Sequence, residues 1–264
     1  MATLPNPLPE LVADPGGRSL GLHLPAGRLI AATDEGPRPE PSLWHAEPRA
    51  TPGDWTALGG PAARVGLLPV LVDTGDGEGG PGSWVLDPDG MSYPGDHDAE
   101  EVLVGFWEEY AAPDDEWPGL AEAAPGADPD VRAAEVADAL VERPPARGAW
   151  HGQLRLALVP ARRSADIPTV IGWTGPENQE NDMGRLSAVL RSWEDRFGIR
   201  VVALGPSDLL VSVAAPPATL EEAEVVAAEH YAFCPDTVLQ SGSGDPREYA
   251  ETLIDARSWG FWWD

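Results

Sequence analysis

Apolar residues recur at three- and four-residue steps between 186 and 197. Leu186, Val189, Leu190, Trp193 and Phe197 fall on one side of a helix, with Arg191, Glu194, Asp195 and Arg196 on the other. Asn181 or Asp182 can cap its start, and Gly198 suits a left-handed stop. Residues 199–204 and 209–213 then read as two strands joined by the turn Gly205-Pro206-Ser207-Asp208. A second helix opens at Thr219, where Glu222 completes a capping box. Its core face holds Ala223, Val226, Ala227, His230 and Cys234, and the opposite face holds Glu221, Glu224 and Glu229. Asp245 and Pro246 start a third helix, and Trp259, Phe261 and Trp263 alternate as a final strand.

Upstream the pattern is more broken, because Pro and Gly interrupt it every few residues. Short strands fit at 20–24, 28–32, 65–72 and 83–86. Asp98 and Glu101 cap a helix that buries Val102, Leu103, Phe106, Trp107 and Tyr110. Residues 113–130 are acidic and rich in Ala, Pro and Gly, as in an exposed linker, and 131–141 form a modest helix. These elements predict an α+β protein in three parts. They are a Pro/Gly-rich α+β region over 1–112, an acidic linker and helix over 113–149, and a C-terminal domain over 150–264. With a strand at 169–173, the last part takes the order of a ferredoxin-like, split βαβ antiparallel sheet with helices on one face, extended by a strand at 154–159.

The run from Leu186 to Gly198, residues 211–217, residues 229–236 and the ending at 259–264 together resemble a bacterial family common in actinobacteria, number 4253 among domains of unknown function. The resemblance is strong from 154 to 264 and weaker at 27–44 and 66–72. It implies no activity, cofactor or catalytic residue, so function rests on the residues themselves.

Charge narrows the choices. The 264 residues carry a net charge of −27, which disfavours nucleic acid and anionic membranes and suits a basic protein partner. Residues 1–147 hold 27 of the 44 acids but only 8 of the 17 basic residues. Every basic residue is arginine, which removes Schiff-base lysines and Walker-type loops. A single cysteine, an N-terminus without basic or long apolar character and the lack of a long apolar run point to a soluble, cytoplasmic protein.

Several local patterns suggest chemistry. Gly75-Asp76-Gly77-Glu78-Gly79-Gly80 has the letters of a dinucleotide loop. Its acids would face the pyrophosphate, though, and Pro81 blocks the helix that should follow. Asp96-His97-Asp98 reads either as metal donors or as a helix start. His230, Cys234 and Asp236 admit three readings: core residues, a catalytic thiol–imidazole site, or a metal or redox site. The polar loop from Trp173 through Glu177 and Asn178, with Arg162 and Arg163, is a candidate ligand site or a solvated connection. No cofactor and no metal is expected. The leading expectation is a regulatory or immunity-like binding module for a basic partner; the alternative is a hydrolase or transferase using His230, Cys234 and Asp236.

Overall fold

The structure is a computed structural model that describes residues 6–33, 36–75, 80–123, 126–143 and 153–263. The centre of the glycine-rich loop, His151 and Asp264 lie outside them. Nine strands are described: β1 (Gly27–Ile30), β2 (Ala32–Thr33), β3 (Gly36–Pro37), β4 (Leu43–Ala46), β5 (Leu68–Asp73), β6 (Leu154–Val159), β7 (Arg200–Leu204), β8 (Asp208–Ser212) and β9 (Ser258–Trp262). The helices are α1 (Glu10–Ala13), α2 (Asp54–Ala63), α3 (Ala99–Tyr110), α4 (Pro129–Glu142), α5 (Ile167–Ile171), α6 (Met183–Phe197), α7 (Leu220–Phe233), α8 (Pro235–Leu239) and α9 (Pro246–Leu253).

Seven strands form one mixed sheet in the order β1-β4-β6-β5-β7-β8-β9, and β2 pairs only with β3. The sheet is antiparallel except where β5 runs parallel to β7. β5, from the first half of the chain, lies between β6 and β7 of the second, so the expected three-part division does not divide the sheet. Its sequence Leu-Pro-Val-Leu-Val-Asp is almost continuously apolar because both of its faces are covered. Val70 and Val72 enter the core beneath α6 and α7, while Leu71 joins Trp55, Val136 and Leu140 beneath α2 and α4.

The expected antiparallel, ferredoxin-like sheet with helices on one face is therefore corrected to a mixed α+β sheet covered on both faces. Alternation was hidden because side chains leaving either face of the central strands meet helices. In β7 a register shift between Val201 and Ala203 turns both Val202 and Ala203 toward the α2–α4 side.

The strand expected at 169–173 does not form: 169–171 belong to the helix α5, and Gly172 and Trp173 follow it. Its β-branched residues suggest a strand, but Pro168 sits in the first turn, where its fixed φ favours a helix. Gly172 ends that turn at φ 68. An added Cβ there would lie 2.0 Å from the Pro88 nitrogen, so only glycine fits. The strand expected at 20–24 does not form, Arg18–Leu20 being a 3-10 turn, and 83–86 contributes only a single Leu86–Trp173 bridge.

Other expectations hold. Asp98 accepts from the Glu100 and Glu101 N–H groups, Asp182 from that of Gly184, and Asp245 from that of Arg247. Thr219 and Glu222 form the reciprocal capping box. β9 buries Trp259 and Phe261, followed by Trp263, beneath α6 and α7.

The acidic segment after α3 is no loose linker. Trp117 and Leu120 pack on the main core, and Ala121 is buried. Ala121 donates its N–H to Glu229 at 2.7 Å and accepts from Arg196 at 2.7 Å. Glu229, expected on the exposed side of its helix, is wholly buried; it also takes the Trp193 indole N–H and a two-pronged Arg196 contact. A buried carboxylate needs such partners, and α6 and this acidic strap, residues 113–123, supply them.

Candidate functional site

α7 and β9 set the environment of His230 and Cys234. The imidazole is enclosed by Trp259, Phe261 and Trp193, with ring centroids at 4.6, 4.9 and 5.1 Å. Its Nδ1 lies 2.8 Å from the Tyr249 hydroxyl, and its Nε2 has no hydrogen-bond partner among the described residues. Burial lowers its pKa to about 3, so it stays neutral at ordinary pH.

Cys234 is equally enclosed. Its thiol donates to the Trp262 carbonyl at 2.9 Å and lies 3.2 Å from the Thr237 hydroxyl. Burial pushes the thiol up to about 12 against these hydrogen bonds, and the negative charge of Asp236 adds to the rise. Asp236 thus opposes a thiolate. No side-chain hydrogen bond joins His230 to Cys234 among the described residues. The arrangement has the properties of core packing: a neutral imidazole and a protonated thiol, both sealed from solvent.

The second candidate set does not assemble. Trp173 is buried, donates from Nε1 to the Gly205 carbonyl at 2.9 Å and meets the Trp263 ring edge-on at 5.7 Å. Gln179, in the same loop, contacts the Ala232 and Phe233 carbonyls and accepts from the Trp263 indole, which ties the loop to the end of α7. Glu177 and Asn178 lie on its exposed side. Arg162 and Arg163 follow β6, whose end pairs with the start of β5. Arg163 contacts Asp195 at 2.5 Å and Glu194 at 3.5 Å, and Glu194 also meets Arg200 at the start of β7. Gly205 lies past the far end of β7, roughly 16 Å away at about 3.3 Å of rise per residue. The two arginines and the Trp173 loop therefore sit at opposite ends of the sheet.

His97 and Asp98 also separate in role. Asp98 caps α3, while His97 Nε2 lies 2.5 Å from the Ser92 hydroxyl and 3.9 Å from Asp182. No group of three or more metal-donor side chains occurs among the described residues. No described helix is long and apolar enough to cross a membrane.

A different constellation forms where α3, the strap and α7 meet. The Trp107 ring lies 5.5 Å from Trp117 and 5.9 Å from Tyr231, in edge-on contacts. Trp117 donates to Glu100 at 3.3 Å, and Tyr231 donates to the Tyr110 carbonyl at 2.7 Å. Carboxylates flank these half-buried rings: Glu100 accepts from Trp117, and Asp115 lies close enough to Tyr231 for its charge to act on the phenol, while Glu108, Glu109, Asp114 and Glu116, next to them in sequence, are exposed. Partial burial raises both tyrosine pKa values, and the charges of Glu109, Glu180 and Asp236 act with it on Tyr110, and that of Asp115 on Tyr231.

Sequence reading placed Trp107 and Tyr110 on a buried helix face and the strap in solvent. The signal it passed over was Trp117, a large aromatic inside an acidic run. It also passed over α2, where Gly59-Gly60-Pro61 masks the helical spacing of Trp55, Leu58 and Ala62.

The pattern from α6 to β9 has a counterpart among known families. Residues 155–264 match the family described as Domain of unknown function (DUF4253). The DUF4253 segment holds His230, Cys234, Asp236, the Trp173 loop and both arginines, whereas α2, α3, the strap and α4 precede it. No curated protein and no solved structure matches the chain.

Proposed function

We propose that the protein is a regulatory or immunity-like binding module that captures a basic segment of a partner protein. The observation that carries this reading is the aromatic cluster of Trp107, Trp117 and Tyr231 flanked by the exposed Glu100 and Asp115 within an acidic stretch of chain. Arginine and lysine are attracted to aromatic faces and to carboxylates alike, and Arg stacks especially well. The chain already uses that arrangement internally: Arg185 lies 5.0 Å over the Phe106 ring of α3 and pairs with Glu180. The net charge of −27 would draw a cationic partner from a distance. The enclosure of His230 and Cys234 weighs against the hydrolase or transferase reading.

The test is anisotropy of a labelled oligo-arginine peptide against the full chain. Binding should weaken at least about tenfold when Glu100, Glu109 and Asp115 are changed to Gln, Gln and Asn, and should fall steeply as salt rises toward about 0.5 M. The control neutralises Glu142, Glu221 and Glu251, which are exposed elsewhere. Equal losses from the two triple variants would reduce the effect to net charge and end the assignment to this face.

A further inference from the structure

We propose that the cleft between α2 and α4 is a binding site for a small apolar carboxylate, a molecule with a hydrocarbon body and one terminal anionic group. The cleft encloses about 600 Å³, within the range of small-molecule sites. Its floor is the start of β5, where Leu68 and Pro69 are only half-buried. One wall is α2 with Trp55 and Gly60, and the other is α4 with Val131 and Ala134. Two helices packed on a sheet ordinarily close over it. Here a hydrogen bond from the Gly53 N–H to Asp138, at 2.8 Å, ties the start of α2 to α4, while glycine and alanine leave the space beyond open. Val131 is 56% exposed, an apolar surface that no described residue covers.

One end of this apolar trough is charged. Arg162, Arg163 and Arg200 line it together with only two carboxylates, Asp130 and Glu194. Three guanidiniums gathered at one place stand out in a chain of net charge −27. Glu194 is mostly covered and lies 3.5 Å from both Arg163 and Arg200, so it holds the two guanidiniums in place. Their other partners are different in kind. Asp130 on Arg200 is 83% exposed and Asp195 on Arg163 is 68% exposed, against 24% and 33% for the arginines themselves. Ion pairs to such exposed carboxylates contribute little, so a ligand carboxylate can replace Asp130 at small cost. It then gains a two-pronged contact while its hydrocarbon body covers Val131 and Leu68.

This site is independent of the acidic face, from which it differs in charge and in elements. The test uses the full chain and decanoate as the probe, followed by calorimetry. Decanol, with the same body but no charge, and acetate, with the charge but no body, are the comparisons. Decanoate should bind at one molecule per chain, and each comparison at least about tenfold more weakly. Gly60→Phe should abolish binding. An added Cβ at Gly60 meets nothing within 4 Å, so the ring has room beside the cleft; Pro61, next in α2, disfavours a helical residue with a Cβ there, so near-ultraviolet dichroism checks that the variant is folded. Arg200→Gln should weaken decanoate toward decanol and leave decanol unchanged. The proposal fails if decanoate does not bind below about 1 mM, if decanol binds equally well, or if a folded Gly60→Phe protein binds like the parent.

Discussion

His230 shows what enclosure does to a single ionisable residue. Above its ordinary value of 6.5 the ring is neutral whether the chain is folded or not. Below that value the unfolded chain takes up a proton that the folded chain refuses until about pH 3. The stability is therefore fully present above 6.5 and is lost as pH falls toward 3, by up to about 1.4 kcal/mol per pH unit. Urea unfolding between about pH 7 and about pH 5 should show the parent losing stability relative to His230→Phe, so that the gap between them changes with pH. The variant has no ring proton to gain and keeps an aromatic group among Trp193, Trp259 and Phe261. A gap that stays constant with pH would mean that the folded protein accepts the proton, and the enclosure would be wrong.

Among the elements, β9 places three aromatic side chains in five residues. Its alternation was legible because strand side chains leave opposite faces in turn. Trp259 and Phe261 go under α6 and α7, while Trp262 is half-buried on the other side. Trp259 touches the rings of Trp193, Phe197 and His230, so a cavity there would adjoin the centre of the core. Trp259→Ala should cost about 3–5 kcal/mol, measured by denaturant unfolding with the near-ultraviolet dichroism of the tryptophans as probe. A loss below about 1 kcal/mol would mean that the strand is not core. The strap 113–123 gave the opposite lesson. Its acids argued for solvent, yet Trp117, Leu120 and Ala121 dock it, and Glu229 with Arg196 closes over the backbone.

For the whole molecule, the position of β5 decides what can fold alone. β6 pairs with β4 and β5, and β7 pairs with β5 on one side. A fragment of residues 153–264 retains the segment that matches DUF4253 but leaves β6 with neither neighbour and exposes one edge of β7. Exposed apolar edges of this kind favour aggregation over folding. The fragment should lack the near-ultraviolet dichroism and the cooperative melting of the full chain. Adding residues 1–143 as a separate chain should restore both if the sheet is as described. A fragment that melts cooperatively by itself would show that the C-terminal strands form a sheet without β5.

Local rules made much of this chain readable. The capping residues Asp98, Asp182, Thr219 and Asp245 act on N–H groups within three residues, so sequence alone located those helix starts. Periodicity likewise placed Trp193, His230 and Trp259 inward, because a helix or strand face is a property of spacing. What lies opposite each face was not local. Glu229 is buried because α6 and the strap meet over it, and 169–171 became helical where proline and glycine prevailed over β-branched side chains. The insertion of β5 between β6 and β7 joins residues more than a hundred positions apart, a pairing that no short-range pattern encodes. The same non-local packing gathered Trp107, Trp117 and Tyr231 into one acidic face and left Gly60 and Val131 facing across an open cleft. Spacing along the chain determined which side chains turn inward; only the tertiary structure decided which surfaces remain uncovered to bind something else.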